Sequence, residues 1–231
     1  MKREVFPPAP VPARPTLGSM RKTVQACRAC PLYKNATQAV FGEGRAGARV
    51  LLIGEQPGND EDLAGRPFVG PAGRVLNDAL VAAGIDRAQT YVTNAVKHFK
   101  FERAGTVKRL HKRPNVSEVK ACAPWLRAEL AVVQPAVVVC LGATAAQAIF
   151  GRAFRLTQSR GRVLASPVSA KTLATIHPSA VLRQRTSADR KKALEGLVAD
   201  LRVARRAAVR PRERRTRPAT EARVSVQSSL R

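Results

Sequence analysis

Four short apolar runs decide what this chain can fold into. Residues 49–53, 90–94, 136–142 and 172–176 are largely apolar or β-branched and too short for helices. Each is separated from the next by segments whose apolar residues recur at helical spacing. One such segment starts at Ser117, read as an N-cap, and carries Val119, Cys122, Leu126, Leu130 and Val133, with Pro124 inside it. Others cover residues 143–150 and 187–207, and a short helix and turn is expected over 21–34. Strands alternating with helices predict an α/β fold. The expected architecture is a three-layer α/β/α sandwich around a central, mainly parallel four-stranded sheet. No internal repeat is visible. With 231 residues there is room for one core. Residues 21–207 are expected to form it, between a disordered proline-rich segment (1–20) and a basic disordered tail (208–231).

The loop after the first run, within residues 54–77, holds five glycines, three prolines, four acidic residues and Phe68. Loops leaving the carboxyl ends of parallel strands are where α/β folds bind ligands. Glycine allows close backbone approach and proline stiffens the loop. An ordinary surface loop has the same composition, but carboxylates beside an aromatic in so basic a protein favour a site.

The formal net charge is +25, which points to a polyanion, most often nucleic acid. Residues 202–231 contribute ten arginines against Glu213 and Glu221, so most of the charge belongs to the folded part. The tail offers salt-sensitive phosphate attraction. Residues 97–113 form a second basic stretch, with seven Lys or Arg against Glu102 and with His98 and His111 among them. It reads as a long structureless loop, a feature uncommon in compact domains unless it is functional.

No apolar run is long enough to span a bilayer, and the N-terminal residues lack the apolar stretch of a secretory signal. A cytoplasmic protein with reduced thiols is therefore expected. Its cysteines are Cys27, Cys30, Cys122 and Cys140. The Cys27–Cys30 spacing lets both sulfurs reach one metal or cluster, and its place before the first strand argues against a thioredoxin-like motif.

Three strand ends deliver polar residues to one edge of such a sheet: Glu55 to Phe68, Asn94 and His177. An asparagine amide matches a nucleobase edge, a phenylalanine can stack on an everted base, and a histidine can hydrogen-bond a developing anion. Singly, each has a plainer reading as a turn cap, a core residue or a helix-terminal histidine.

Five segments together are more specific: GEQPG at 54–58, GRPFVGPAG at 65–73, TNAVKHFKF at 93–101, LGATAA at 141–146 and HPS at 177–179. With them the chain resembles the family 4 uracil-DNA glycosylases. More narrowly it resembles the UdgX-type branch, which becomes covalently attached to uracil-containing DNA. The likeness runs over about residues 27–206. Gln56 is a mark of that branch, as is a basic insertion ending in histidine, written KRRIH there and Val107-Lys108-Arg109-Leu110-His111 here. One charge is lost and the histidine stands.

The resemblance implies that Phe68 stacks on uracil beside Gly54, Asn94 reads its amide edge and His177 bonds its carbonyl oxygen. It implies that Glu55, Gln56 and Asp62 line the sugar side and that His111 attacks C1′. Lys108, Arg109, Lys112 and Ser179 become the candidate phosphate contacts. It further implies a 4Fe-4S cluster. The position of the third family ligand falls on His98, which makes Cys27, Cys30, His98 and Cys122 the ligand set. Cys140 in place of His98 is the competing set, although a cysteine in an apolar strand is usually a core residue. A structural zinc at the same ligands is the alternative metal. A monomer acting on uracil-containing, preferably single-stranded DNA is expected. A glycosylase that turns over normally, with His111 gripping phosphate, and a metal-stabilised DNA-binding module without catalysis are the other readings.

Overall fold

The computed structural model describes residues 5–104 and 108–209; of the tail expected to be disordered, Ala208 instead ends the last helix and residues 210–231 lie outside the described residues. In chain order the elements are α1 (Leu17–Thr23), β1 (Val50–Gly54), α2 (Asn59–Ala64), α3 (Pro71–Ala83), β2 (Thr90–Asn94), β3 (Phe101–Ala104) and β4 (Lys108–His111). They continue with α4 (Val116–Val133), β5 (Val137–Leu141), α5 (Ala143–Phe150), α6 (Leu156–Ser159), β6 (Val163–Ser166), β7 (Ser169–Thr175), α7 (Ser179–Leu182) and α8 (Ser187–Ala208).

The main sheet runs β2-β1-β5-β7-β6. The four strands expected from the apolar runs are its parallel members, and β6 pairs antiparallel with β7 as a fifth. The alternating, half-exposed burial of β6 lacks the continuous apolar signal of a strand covered on both faces. Strand β1 is buried throughout, and its side chains divide between two cores. Val50 and Leu52 pack with α3 and α8, whereas Leu51 and Ile53 pack with α4 and α5. These cores are the two interfaces of the expected three-layer sandwich.

Local chemistry sets the helix ends. Helix α3 has Pro71 at its first position and ends at Gly84 in the left-handed region (φ 70°). Helix α4 starts two residues before the expected cap: Asn115, not Ser117, accepts from Glu118 N–H while Glu118 returns a bond to Asn115 N–H. Pro124 lies within the helix, which is assigned unbroken through it.

Two further expectations are corrected. The basic stretch is not structureless: β3 and β4 pair as an antiparallel ribbon, with Phe101 opposite His111 and Arg103 opposite Arg109. Cross-strand pairing satisfies backbone groups that a long loop would leave to water. Residues 5–20 are also placed. Ala9 N–H donates to Ala121 O at 2.9 Å, and Phe6 and Val11 pack on a third core built from α1, α4 and the cysteine segment.

Beneath the carboxyl end of β2 lies a buried ion pair, Lys97 Nζ to Glu129 Oε2 at 2.5 Å. Lys97 also donates to Thr93 Oγ1 and Asn94 O; Glu129 accepts from Gly42 N, Tyr91 Oη and Thr93 Oγ1. Burial, with the adjacent Glu129 charge, raises the Tyr91 phenol well above its ordinary range, so it remains a donor. Removing one partner of such a pair leaves an uncompensated charge in the interior. Lys97→Met should lower the unfolding free energy by about 3–5 kcal/mol, read as a shifted urea midpoint at unchanged slope.

Candidate active site

Parallel register brings Gly54 opposite Asn94, Ile53 opposite Cys140, and Leu141 opposite Thr175. The residues that follow therefore meet at one sheet edge. Two adjoining cavities open there, of about 190 and 330 Å³, sharing Gln56, His111, His177, Ser179 and Arg183 as walls. The first also contains Phe68 and Asn94, the second Glu55 and Thr144.

Phe68 is a non-glycine residue held at φ 56°. That conformation is costly for an aromatic and persists only where the surroundings enforce it. Two glycines make the room. A Cβ on Gly73 would fall 1.9 Å from Phe68 O, and one on Gly54 would fall 2.2 Å from Asn94 Oδ1 and 2.6 Å from the Phe68 ring. Asn94 Oδ1 is sealed from solvent without a hydrogen-bond partner among the described residues. Such an acceptor is costly unless a ligand supplies the donor.

The two cavity histidines are held in opposite tautomers. At His177, Ser179 N–H donates to Nδ1 (3.2 Å), and Ser179 Oγ lies 2.7 Å from the same nitrogen while itself accepting from Arg183. Nδ1 is thus an acceptor and Nε2 carries the hydrogen. Burial, reinforced by the Arg183 charge, lowers the pKa of His177 to about 4, so the ring is neutral.

At His111 the constraint comes from Gln56. Its Oε1 accepts from Lys100 N (3.1 Å), while its Nε2 donates to Lys100 O, Lys112 O and, at 2.9 Å, His111 Nε2. An amide nitrogen only donates, so His111 Nε2 presents its lone pair. Glu55 Oε1 lies 3.9 Å from that nitrogen, and Thr144 Oγ1 donates to the other Glu55 oxygen.

Other expected site residues are placed differently. Asp62 is fully buried and lines neither cavity; it accepts from Thr37 N and pairs with Arg109 at 2.7 Å. Arg109, expected on phosphate, also donates to Asn59 and lies over the Phe99 and Phe101 rings, which pins the ribbon to α2. Lys112 pairs with Glu102 at 2.8 Å on the surface. Ser179 is engaged by His177 and Arg183. The Lys108 side chain lies outside the described residues.

Three wall residues escaped the sequence reading. Glu61 accepts from Gly58 N and Gly70 N and so closes the loop around Phe68. Its place three residues after Gly58 is capping-box spacing, a usable signal. Arg183, four residues after Ser179, and Thr144 gave no such signal.

Cys27, Cys30 and Cys122 share the third core, with Lys97 N–H donating to Cys122 Sγ and Trp125 Nε1 to Cys27 Sγ. Cys140 belongs to a different core. Burial pushes Cys122 up to about 12, with the neighbouring Cys30 and Cys27 adding to the rise. His98 is buried on the adjoining segment and lowered to about 4, chiefly by burial and then by Arg28. Among the described residues, no group of three or more His, Cys, Asp or Glu is placed to hold a metal ion. Among the described residues no helix is long and apolar enough to cross a membrane.

Residues 41–202 match the Uracil DNA glycosylase superfamily. The chain belongs to that superfamily. It is 38% identical over 175 residues to the type-4 uracil-DNA glycosylase of Thermotoga maritima, spanning 75% of this chain and 87% of that protein. The type-4 uracil-DNA glycosylase of Archaeoglobus fulgidus is 34% identical over 189 residues, spanning 77% and 91%. The crystal structure of SMUG2 from Pedobacter heparinus shares the fold, with a TM-score of 0.51 at 14% identity over 69% of this chain and 76% of that one.

In this superfamily member the neutrality of His177 has a consequence for stability. Its folded pKa, about 4, lies below the ordinary 6.5, so the unfolded chain takes up the proton first. The contribution is complete above pH 6.5 and is lost as pH falls toward 4. His177→Asn should flatten part of the acid-side fall in the urea midpoint, leaving the share carried by His98, which is lowered in the same direction.

Proposed function

We propose that this protein excises uracil from DNA, preferably single-stranded, and remains attached to the abasic sugar through His111. The observation that carries the reading is the pair of opposed imidazoles on one cavity: His177 offers an N–H, and His111 offers a lone pair. Uracil seated on Phe68 would present N3–H to the unpartnered Asn94 Oδ1 and a carbonyl oxygen to His177 Nε2–H. As the C1′–N1 bond breaks, its electron pair leaves with the base, and the donor is already aimed where that charge develops. The Glu55 carboxylate favours positive charge at C1′.

His111 Nε2 then forms the new bond to C1′, giving a cationic N-alkylated imidazole beside Glu55 while the uracil anion departs, so charge balances. Gln56 aims that nitrogen beforehand. Its amide has two hydrogens for three acceptors, so releasing His111 still leaves Lys100 O and Lys112 O bonded. Asp62 and Arg109 serve as positioning residues, holding the ribbon that carries His111.

A 4Fe-4S cluster on Cys27, Cys30, His98 and Cys122 belongs to the same proposal. Three thiols in one core, and Cys140 in another, favour this set over the one with Cys140. The neutral form of His98 is the one that can ligate. The cluster would tie the N-terminal segment to the base of the ribbon, a structural role. We further assign a monomeric, cytoplasmic enzyme.

His111→Ala should abolish the protein–DNA band on denaturing electrophoresis with a uracil oligonucleotide; a persisting band ends the covalent reading. Free abasic product without any band from the wild-type chain would instead indicate ordinary turnover. His177→Ala should slow excision by about 10²–10³, measured in single turnover. Iron, sulfide and visible absorbance in the wild-type protein, lost in Cys122→Ser and retained in Cys140→Ser, would support the ligand set; zinc alone would replace the cluster.

A further inference from the structure

We propose that a separate cavity, which shares Phe68 as a wall with the base cavity, is a second anion site, taking a phosphate group on Arg87 and Arg66. Among the described residues, two side-chain atoms are sealed from solvent with no hydrogen-bond partner: Asn94 Oδ1 at the base cavity and Arg87 Nη1. Arg87 lines this separate cavity of about 470 Å³, with Glu43, Arg66, Phe68 and Asn77 among its other walls. A guanidinium donor without an acceptor is expensive to bury unless a ligand supplies one. Desolvation depresses the Arg87 pKa, which is the same deficit seen as charge.

The surrounding charge favours an oxyanion. Arg66 forks onto Glu43 through Nε (3.2 Å) and Nη2 (2.7 Å), and Glu43 is held low by Arg66 first and also by Arg87 and Arg21. At the cavity, Arg66 and Arg87 thus face one carboxylate, leaving a surplus of one positive charge. The groups are preorganised by backbone. Glu43 exchanges both main-chain bonds with Val92, and Arg87 O accepts from Thr90 Oγ1 at 2.7 Å. A guanidinium fork can donate in parallel to two oxygens of a tetrahedral phosphate. Phe68, in the left-handed region, forms a wall of both cavities, so an anion here would share a wall with the proposed base site.

The phosphate can be a diester of the bound strand or a free phosphate. The first source rests on DNA being the substrate; the site itself does not. Orthophosphate binding followed by 31P NMR should weaken about tenfold in Arg87→Gln and tighten in Glu43→Gln, where the competing carboxylate is removed. Binding of a thymine-only single-stranded oligonucleotide is measured in parallel against salt, so that neither excision nor adduct formation enters. A slope reduced by about 0.7 in Arg87→Gln assigns the site to the strand. Weakened orthophosphate with an unchanged slope assigns it to free phosphate. Unchanged orthophosphate affinity in both variants overturns the site. Should Arg87→Gln fail to fold by circular dichroism, Glu43→Gln alone decides.

Discussion

The Lys97–Glu129 ion pair is the contact on which the rest of the molecule leans. It joins the end of β2 to the middle of α4, and through Gly42 to the segment that crosses β2. Lys97 Nζ grips Asn94 O, so the same charge that ties two layers also fixes the backbone of the residue that faces the base cavity. Buried pairs of this kind contribute little net stability over an apolar replacement, but they fail badly when one member is lost. Their value here is positional. The cysteine core begins at the same residue, where Lys97 N–H meets Cys122 Sγ.

Above that foundation, the site works by contrast between like residues. Two imidazoles share one cavity, yet Ser179 makes one a donor and Gln56 makes the other an acceptor. No difference in residue type separates them; their hydrogen-bond partners do. The carboxylates divide in the same way. Glu55 stays at the second cavity, Glu61 closes the loop behind Phe68, and Asp62 is buried under Arg109. In the proposed reaction the donor serves the departing base and the acceptor serves the sugar, so the two partners decide the chemistry.

Much of the frame was legible in the chain because its signals are local. Continuous Val/Ile/Leu runs mark β1 and β5, and short apolar or β-branched runs mark β2 and β7. The meeting of Glu55, Asn94 and His177 follows from parallel strands having their carboxyl ends together. What was missed lacks a local signal. Strand β6 is half exposed, the ribbon is held by Arg109 reaching a distant carboxylate, and Asn115 outcompeted Ser117 because Glu118 completes its capping box. The Asp62 role could not be read because three acids lie consecutively at 60–62, and only helix phase decides which one turns inward.

By itself, the sequence determined the layer architecture, the edge of the sheet where a ligand can bind, and the identity of the aromatic, the amide and the two histidines found there. Periodicity and strand direction are enough for the layers and the edge, and the resemblance of five segments to a known family singled out the residues, His111 above all. Tertiary structure alone decided which histidine nitrogen bears the hydrogen, which cysteines share a core, which arginines are engaged by carboxylates and where Arg87 lacks a partner. Those properties depend on groups far apart in the chain coming within hydrogen-bond reach in a low-dielectric interior, and nothing in residue order encodes that distance.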